Sequence, residues 1–211
     1  MDPNNIQMDI ASVEKTYDRY SSFYDIIFGA FFAPGRVEVI NQLKFEDDAH
    51  ILEIGIGTGA SLGLYPQKAK ITGVDLSEEM LRLSERRAQK SARAVDLYMM
   101  NAEKLDFSDN SFSHVVAMYV VSVSPDPAAI VEEMVRVCKP GGEVVILNHF
   151  SDDNSLFGKF EKALAPFSSS LGFKPYFPLS KFTEQCRPFS FADCSKTNLL
   201  GYWSILKGLK P

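Results

Sequence analysis

The residues best suited to chemistry lie in Ile51-Leu52-Glu53-Ile54-Gly55-Ile56-Gly57-Thr58-Gly59, an apolar run with one acid that meets three glycines at alternate positions. A buried strand reads this way when it turns sharply with a ligand pressed against the turn. Glycine has no Cβ, so it admits positive φ and lets a ligand reach the backbone. A helix after the turn would add free N–H groups and the positive end of its dipole. Glu53 sits inside the apolar run, where an unpaired charge is costly and a cationic ligand group would give it a partner. Asp75 follows Gly55 by about 20 residues, at the end of the next apolar run, where a carboxylate holds ribose hydroxyls.

A second set of residues suits a charged acceptor. Tyrosine faces attract ammonium groups by about 0.5–2 kcal/mol each, and Tyr20, Tyr24 and Tyr119 are candidates for such a cage. His149, at a strand end, is a candidate proton acceptor. Arg187 or Lys174 is a candidate partner for a phosphate. Each has a plainer reading: His149 as a satisfied structural histidine, the tyrosines as packing anchors, Arg187 as a surface residue.

These residues need a scaffold. Apolar spacing predicts a helix over 12–32 with Ser12 as a candidate N-cap, and a second from Pro34 or Gly35 to Leu43. Strand and helix then alternate. Strands are expected at 49–54, 70–74, 95–100, 112–121 and 143–147. A short helix is expected between Gly59 and Pro66, one opening at Ser77, and one from Pro127 through Val137 ended by Lys139-Pro140-Gly141-Gly142. Residues 150–191 break the rhythm with nine of the sixteen phenylalanines, four prolines and four lysines, which reads as an insertion. Residues 191–199 and 202–206, around Gly201, read as a closing hairpin. The expected fold is α/β: a doubly wound, mostly parallel sheet with a C-terminal antiparallel hairpin, an N-terminal helical lid and an insertion after strand five.

With 211 residues the chain suits one domain: a lid over 1–45, a core over 49–148, the insertion over 150–190 and the hairpin over 191–211. Hydrophobic content of 45% and charged content of 23% are those of a soluble globular protein. No signal peptide and no spanning apolar run is read. Cys138, Cys186 and Cys194 lack metal-ligand spacing, so no metal is expected, and they fit a reducing cytoplasm. A net charge of −5 gives no support for nucleic-acid binding and leaves room for a local basic patch against an anionic membrane.

The glycine stretch fits two cofactors. As Gly55-x-Gly57-x-x-Ala60 it passes the dinucleotide fingerprint. As Glu53-x-Gly55-x-Gly57-x-Gly59 it resembles the S-adenosylmethionine loop of class I methyltransferases. Asn101-Ala102-Glu103-Lys104-Leu105-Asp106-Phe107 resembles that family's adenine-contacting segment, and Val135 through Gly142 resembles its lead-in to strand five. The resemblance spans residues 49–148 and implies S-adenosyl-L-methionine as cofactor and S-adenosyl-L-homocysteine as product. It implies that Glu53, Gly55, Gly57, Thr58 and Gly59 lie at the methionine end and that Asp75 binds the ribose. Asn101, Ala102 and Glu103 would flank the adenine, Leu76 and Met80 would pack on it, and Tyr17 and Met118 would complete the set.

The acceptor rests on other segments. Tyr17-Asp18-Arg19-Tyr20-Ser21-Ser22-Phe23-Tyr24-Asp25 resembles the lid helix of quinone and phospholipid methyltransferases. Together with Val116 through Pro127, Asn148-His149-Phe150 and the start Met1-Asp2-Pro3, it resembles soluble bacterial phosphatidylethanolamine N-methyltransferases. That resemblance implies N-methylation of phosphatidylethanolamine and its partly methylated products, by a cytoplasmic protein bound peripherally at the inner membrane face. Tyr24, Tyr119 and His149 would be catalytic; Tyr20, Tyr119, His149 and Arg187 would bind the acceptor. Phe23, Ile27, Phe28, Phe31 and Phe32 would enter the membrane interface, or else pack on the core. A quinone C-methyltransferase, a small-amine methyltransferase, an NAD-binding oxidoreductase and a non-catalytic membrane module stay open.

Overall fold

A computed structural model describes residues 31–152, 155–167, 173–197 and 201–211. Tyr17, Tyr20 and Tyr24, with nearly all of the helix expected over 12–32, lie outside the described residues. The chain is helical over 31–42 (α1) without interruption at Pro34, since proline's fixed φ is itself helical. Then follow β1 (His50–Ile54), β2 (Lys70–Asp75), α2 (Glu78–Lys90), β3 (Val95–Met99) and β4 (Phe112–Met118). The second half holds α3 (Pro127–Val137), β5 (Cys138–His149), α4 (Leu156–Leu164), α5 (Leu179–Gln185), β6 (Asp193–Thr197) and β7 (Trp203–Leu209).

The seven strands form one sheet in the order β3-β2-β1-β4-β5-β7-β6. The first five pair in parallel, while β7 runs antiparallel to both β5 and β6. This is the doubly wound sheet with a closing antiparallel pair that the strand–helix alternation predicts. Its central strands are buried on both faces, so alternate residues feed two cores. Leu52, Ile54, Val115, Ala117, Val144 and Ile146 pack toward α3 and toward Phe182 of α5. Ile51, Val116, Val145 and Leu147 pack toward Val39 and Ile40 of α1 and Ala88 of α2.

Local signals account for the helix starts. Ser77 caps α2 by accepting from the Met80 N–H at 3.2 Å, with Glu78 and Glu79 in the first turn. Asp126 caps α3 by accepting from the Ala129 N–H at 3.1 Å, and Pro127 opens it.

Two expectations fail. Residues between Gly59 and Pro66 form successive tight turns, not a helix: Leu62 N–H bonds Gly59 O at 3.1 Å and Leu64 N–H bonds Ser61 O at 2.8 Å. Two glycines, a closing proline and side-chain bonds back to Glu53 outcompete a nucleus that needs fixed helical dihedrals. Gly141-Gly142 does not end α3 either. Cys138 leaves the helix already extended, and Gly141, at φ +75°, sits within β5, its N–H donating to Lys210 O at 2.8 Å. The strand therefore starts five residues before Glu143.

A buried ionic cluster ties α1 to the sheet. Glu143 pairs with Lys207, approaches His114 Nε2 at 3.3 Å and accepts from Lys44 N–H at 3.1 Å. Lys207 also donates to Gln42 O at 2.9 Å, at the end of the helix.

Candidate active site

At the carboxyl ends of β1, β2 and β4 lies a cleft of about 940 Å³ including its open mouth. Strand ends are where open α/β sheets bind ligands, because the chain diverges there to either face. The cleft is lined by Glu53, Gly55, Gly57 and Thr58 from the glycine turn, by Asp75, Leu76 and Met80 after β2, and by Ala102, Met118 and Tyr119. Arg36, Met100, Val120 and Val123 complete much of its wall.

The three glycines take φ of +65°, +55° and +72°, a region that favours glycine. Their surroundings differ. A Cβ on Gly55 would meet Val120 Cγ2 at 2.3 Å, and one on Gly59 would meet Ser84 Oγ at 2.6 Å. At Gly57 the nearest atom is the Gly55 carbonyl oxygen at 4.0 Å, so this backbone alone is bare toward the cleft. It forms a cradle where a ligand can rest on the main chain. With two carboxylates and apolar Leu76, Met80, Met100 and Ala102 in one lining, the residue set fits a molecule carrying a cation, a ribose and a flat ring.

Glu53 is 3% exposed. Its carboxylate accepts from Ser61 Oγ at 2.6 Å and from Tyr65 Oη at 2.8 Å. Burial pushes its pKa from the ordinary 4.5 to about 7, against the pull of those hydroxyls and of Arg36. Asp75 accepts from Gly57 N–H at 2.9 Å and from Ser77 N–H at 3.0 Å, and so pins the glycine turn to the start of α2. Burial raises its pKa, and the backbone N–H groups of Ser77, Gly57 and Leu76 oppose the rise.

Other candidates shape the walls. Asn101 Oδ1 accepts from Glu103 N–H at 2.9 Å, and Glu103 accepts from Ser124 Oγ at 2.6 Å and Asp126 N–H at 3.1 Å. Both brace the loop that presents Ala102; neither lines the cleft, and nor does Gly59. Thr58 does line it, while its hydroxyl oxygen accepts from Arg87 at 3.0 Å.

Tyr119 directly follows β4 with φ +65°, a strained setting for a residue with a Cβ. Its N–H donates to Leu147 O at 2.6 Å and its hydroxyl to Phe32 O at 3.0 Å. The ring packs on Phe32 at 4.4 Å and Trp203 at 4.7 Å. Phe32 thereby turns inward, away from the interface role, while Phe31 is 41% exposed.

His149 is buried and is not among the cleft residues. Nε2 donates to Lys174 O at 2.9 Å, and Nδ1 lies 3.4 Å from Asn148 Nδ2. The ring stacks on Tyr202 at 5.8 Å, and burial lowers its pKa. Lys174 crosses the loop after β4: its N–H donates to Ser122 O at 2.8 Å and Nζ to Pro125 O at 3.2 Å. Arg187 is exposed beyond α5 and does not line the cleft. So the structure gathers the glycine turn, Asp75, Leu76, Met80, Ala102, Met118 and Tyr119. It sets His149, Lys174 and Arg187 apart from them. Reading the sequence missed Arg36, Ser61 and Tyr65. The four-residue steps Phe32 to Arg36 and Ser61 to Tyr65 were the only available signals.

The missing helix after Gly59 removes one support of the dinucleotide reading, and comparison with known proteins decides the matter. Residues 52–146 match the methyltransferase domain family. The chain is 40% identical over 182 residues to a phosphatidylethanolamine N-methyltransferase of Cereibacter sphaeroides, spanning 85% of this chain and 89% of that protein. It is 30% identical over 139 residues to a demethylmenaquinone methyltransferase of Bacillus cereus, spanning 64% of this chain and 59% of that one. The structure of Haemonchus contortus phosphoethanolamine N-methyltransferase 2 with S-adenosyl-L-methionine superposes with a TM-score of 0.74 at 19% identity, over 94% of this chain and 60% of that one, and shows the shared fold. With identity sustained across most of a named methyltransferase, the chain belongs to the class I S-adenosylmethionine-dependent methyltransferase family.

Proposed function

We propose that the protein N-methylates phosphatidylethanolamine, and its partly methylated products, toward phosphatidylcholine at a membrane surface. The carrying observation is the 40% identity over 85% of the chain with a phosphatidylethanolamine N-methyltransferase. The identity to the quinone enzyme is lower and spans 64% of the chain. S-adenosylmethionine supplies an electrophilic sulfonium methyl for in-line displacement. In this reading the chain acts as one domain, with 1–45 as lid, 49–148 as core, 150–190 as acceptor-side insertion and 191–211 as closing hairpin.

The residues then divide the work. Glu53 holds the methionine ammonium, Asp75 the ribose, and Gly57 admits the donor against the backbone. Leu76, Met80 and Ala102 enclose the adenine. Tyr119 stands at the mouth, fixed by Leu147 and Phe32, and aims the acceptor; Tyr17, Tyr20 and Tyr24 serve from the lid. Positioning of this kind supplies much of the rate in a displacement with little other chemistry. His149 shapes the acceptor side through Lys174.

The test is transfer of labelled methyl from S-adenosylmethionine to phosphatidylethanolamine vesicles, run beside demethylmenaquinone in the same vesicles. Label in mono-, di- and trimethylated phosphatidylethanolamine supports the reading. Label in the quinone alone replaces it with carbon methylation.

A further inference from the structure

We propose that Arg36 is an oxyanion-binding residue of the cleft, taking the α-carboxylate of the methyl donor or the phosphodiester of the acceptor. Arg36 lines the cleft together with Glu53 and Tyr119. Its guanidinium carbon lies 5.5 Å from the Tyr119 ring centre and 5.9 Å from that of Phe32. Among the described residues no hydrogen-bond or ion-pair partner meets it. Two arginines behind the glycine turn and its following loop are partnered: Arg87 donates to the Thr58 carbonyl at 2.8 Å, and Arg93 to the Tyr65 carbonyl at 2.9 Å.

A guanidinium carries five donors in a planar fork that matches carboxylate or phosphate in two parallel bonds. Leaving that fork unpaired in a half-buried wall is costly unless a ligand completes it. The two ring centres are themselves only 4.4 Å apart, so both rings flank it from one side, and its N–H groups remain for bidentate capture. Burial raises the pKa of Glu53 and of Tyr65 and the Arg36 field opposes both rises, so a positive and an acidic group act on one cleft. Such a pair reads a zwitterion, and both an α-amino acid and an ethanolamine phosphodiester are zwitterions.

The same contact bears on Tyr119. A ring face already covered by a guanidinium repels a second cation. Tyr119 and Phe32 therefore position Arg36 with the faces it covers, and an acceptor ammonium approaches elsewhere than those faces.

The inference rests on the donor occupying this cleft, and its acceptor arm rests on the phospholipid reading. Arg36→Met keeps the stem without the charge, and Arg36→Lys keeps the charge without the fork. Titration with S-adenosylhomocysteine reads the first source: affinity falls about tenfold or more in Arg36→Met and by a smaller factor in Arg36→Lys. The KM for phosphatidylethanolamine in vesicles reads the second: it rises about tenfold while S-adenosylhomocysteine affinity stays. Melting curves check that each variant folds; if Arg36→Met does not, Arg36→Lys alone decides. Both constants unchanged overturns the inference, as does unchanged S-adenosylhomocysteine affinity in an enzyme that uses no phosphate-bearing acceptor. Wild-type protein that fails to methylate phosphatidylethanolamine removes the lipid reading alone, since the titration needs no acceptor.

Discussion

Glu53 concentrates the electrostatics of the site in one side chain. Burial lifts its carboxyl to about 7, where an unfolded chain titrates near 4.5. Between those values the folded protein keeps a proton that the unfolded chain has lost. The apo protein is therefore destabilised as pH rises from about 4.5 to about 7, the reverse of a salt-bridged carboxylate. Binding a cationic methionine end needs the ionised form. S-adenosylhomocysteine affinity should then rise from pH 6 to pH 7.5 with release of a proton, read by calorimetry in buffers of different ionisation heat. Glu53→Gln should flatten the profile and weaken binding at pH 7.5 by about tenfold, the scale of a lost charge-assisted bond. An unchanged profile in that variant would place the titrating group elsewhere.

Two short elements give the cleft its shape. The turns between Gly59 and Pro66 carry Ser61 and Tyr65 back to Glu53, so the segment after the glycines closes the floor in place of a helix N-terminus. The crossing segment at Lys174 covers the loop after β4, and His149 holds it through the bond to Lys174 O at 2.9 Å. A clamp and a base predict different outcomes. His149→Gln retains a donor and should keep kcat within a few fold, while His149→Phe leaves a part-buried carbonyl unpaired and costs about 1 kcal/mol of stability. Both should leave S-adenosylhomocysteine affinity unchanged. A pH–rate profile that loses its acid limb in His149→Gln would instead make His149 the proton acceptor.

Under the proposed function, the whole molecule meets a substrate that resides in a bilayer. No helix of the described residues is long and apolar enough to cross a membrane. Exposed apolar groups remain: Phe31 on α1 is 41% exposed and Phe160 on α4 is 61% exposed, the latter beside exposed Lys159 and Lys162. Aromatic anchors flanked by lysine suit an anionic interface. The protein should co-float with anionic vesicles, less as salt rises toward the roughly 10 Å screening length of 0.1 M. Phe160→Ser with Lys159→Gln and Lys162→Gln should weaken flotation without changing S-adenosylhomocysteine affinity. Absence of flotation by the wild type at low salt would count against a bilayer substrate.

By itself the sequence determined the order of strands and helices, the glycine turn, Asp75 and the helix starts at Ser77 and Pro127. Those are local: period-two and period-3.6 burial, caps and positive-φ glycines act within a few residues. Most of 49–148 was legible for that reason, apart from the turns after Gly59 and the early start of β5. Only the tertiary structure decided which glycine is bare, that Asp75 ties the turn to α2, that Arg36 reaches the cleft, and that His149 faces Lys174 and not the cavity. Each depends on which segments meet after more than 15 residues of intervening chain (Gly57 with Asp75, Arg36 with Tyr119, His149 with Lys174). Residue type allows a histidine at a strand end to be a base or a clamp; the bond from its ring to Lys174 O supports the clamp, and that neighbour is set by packing.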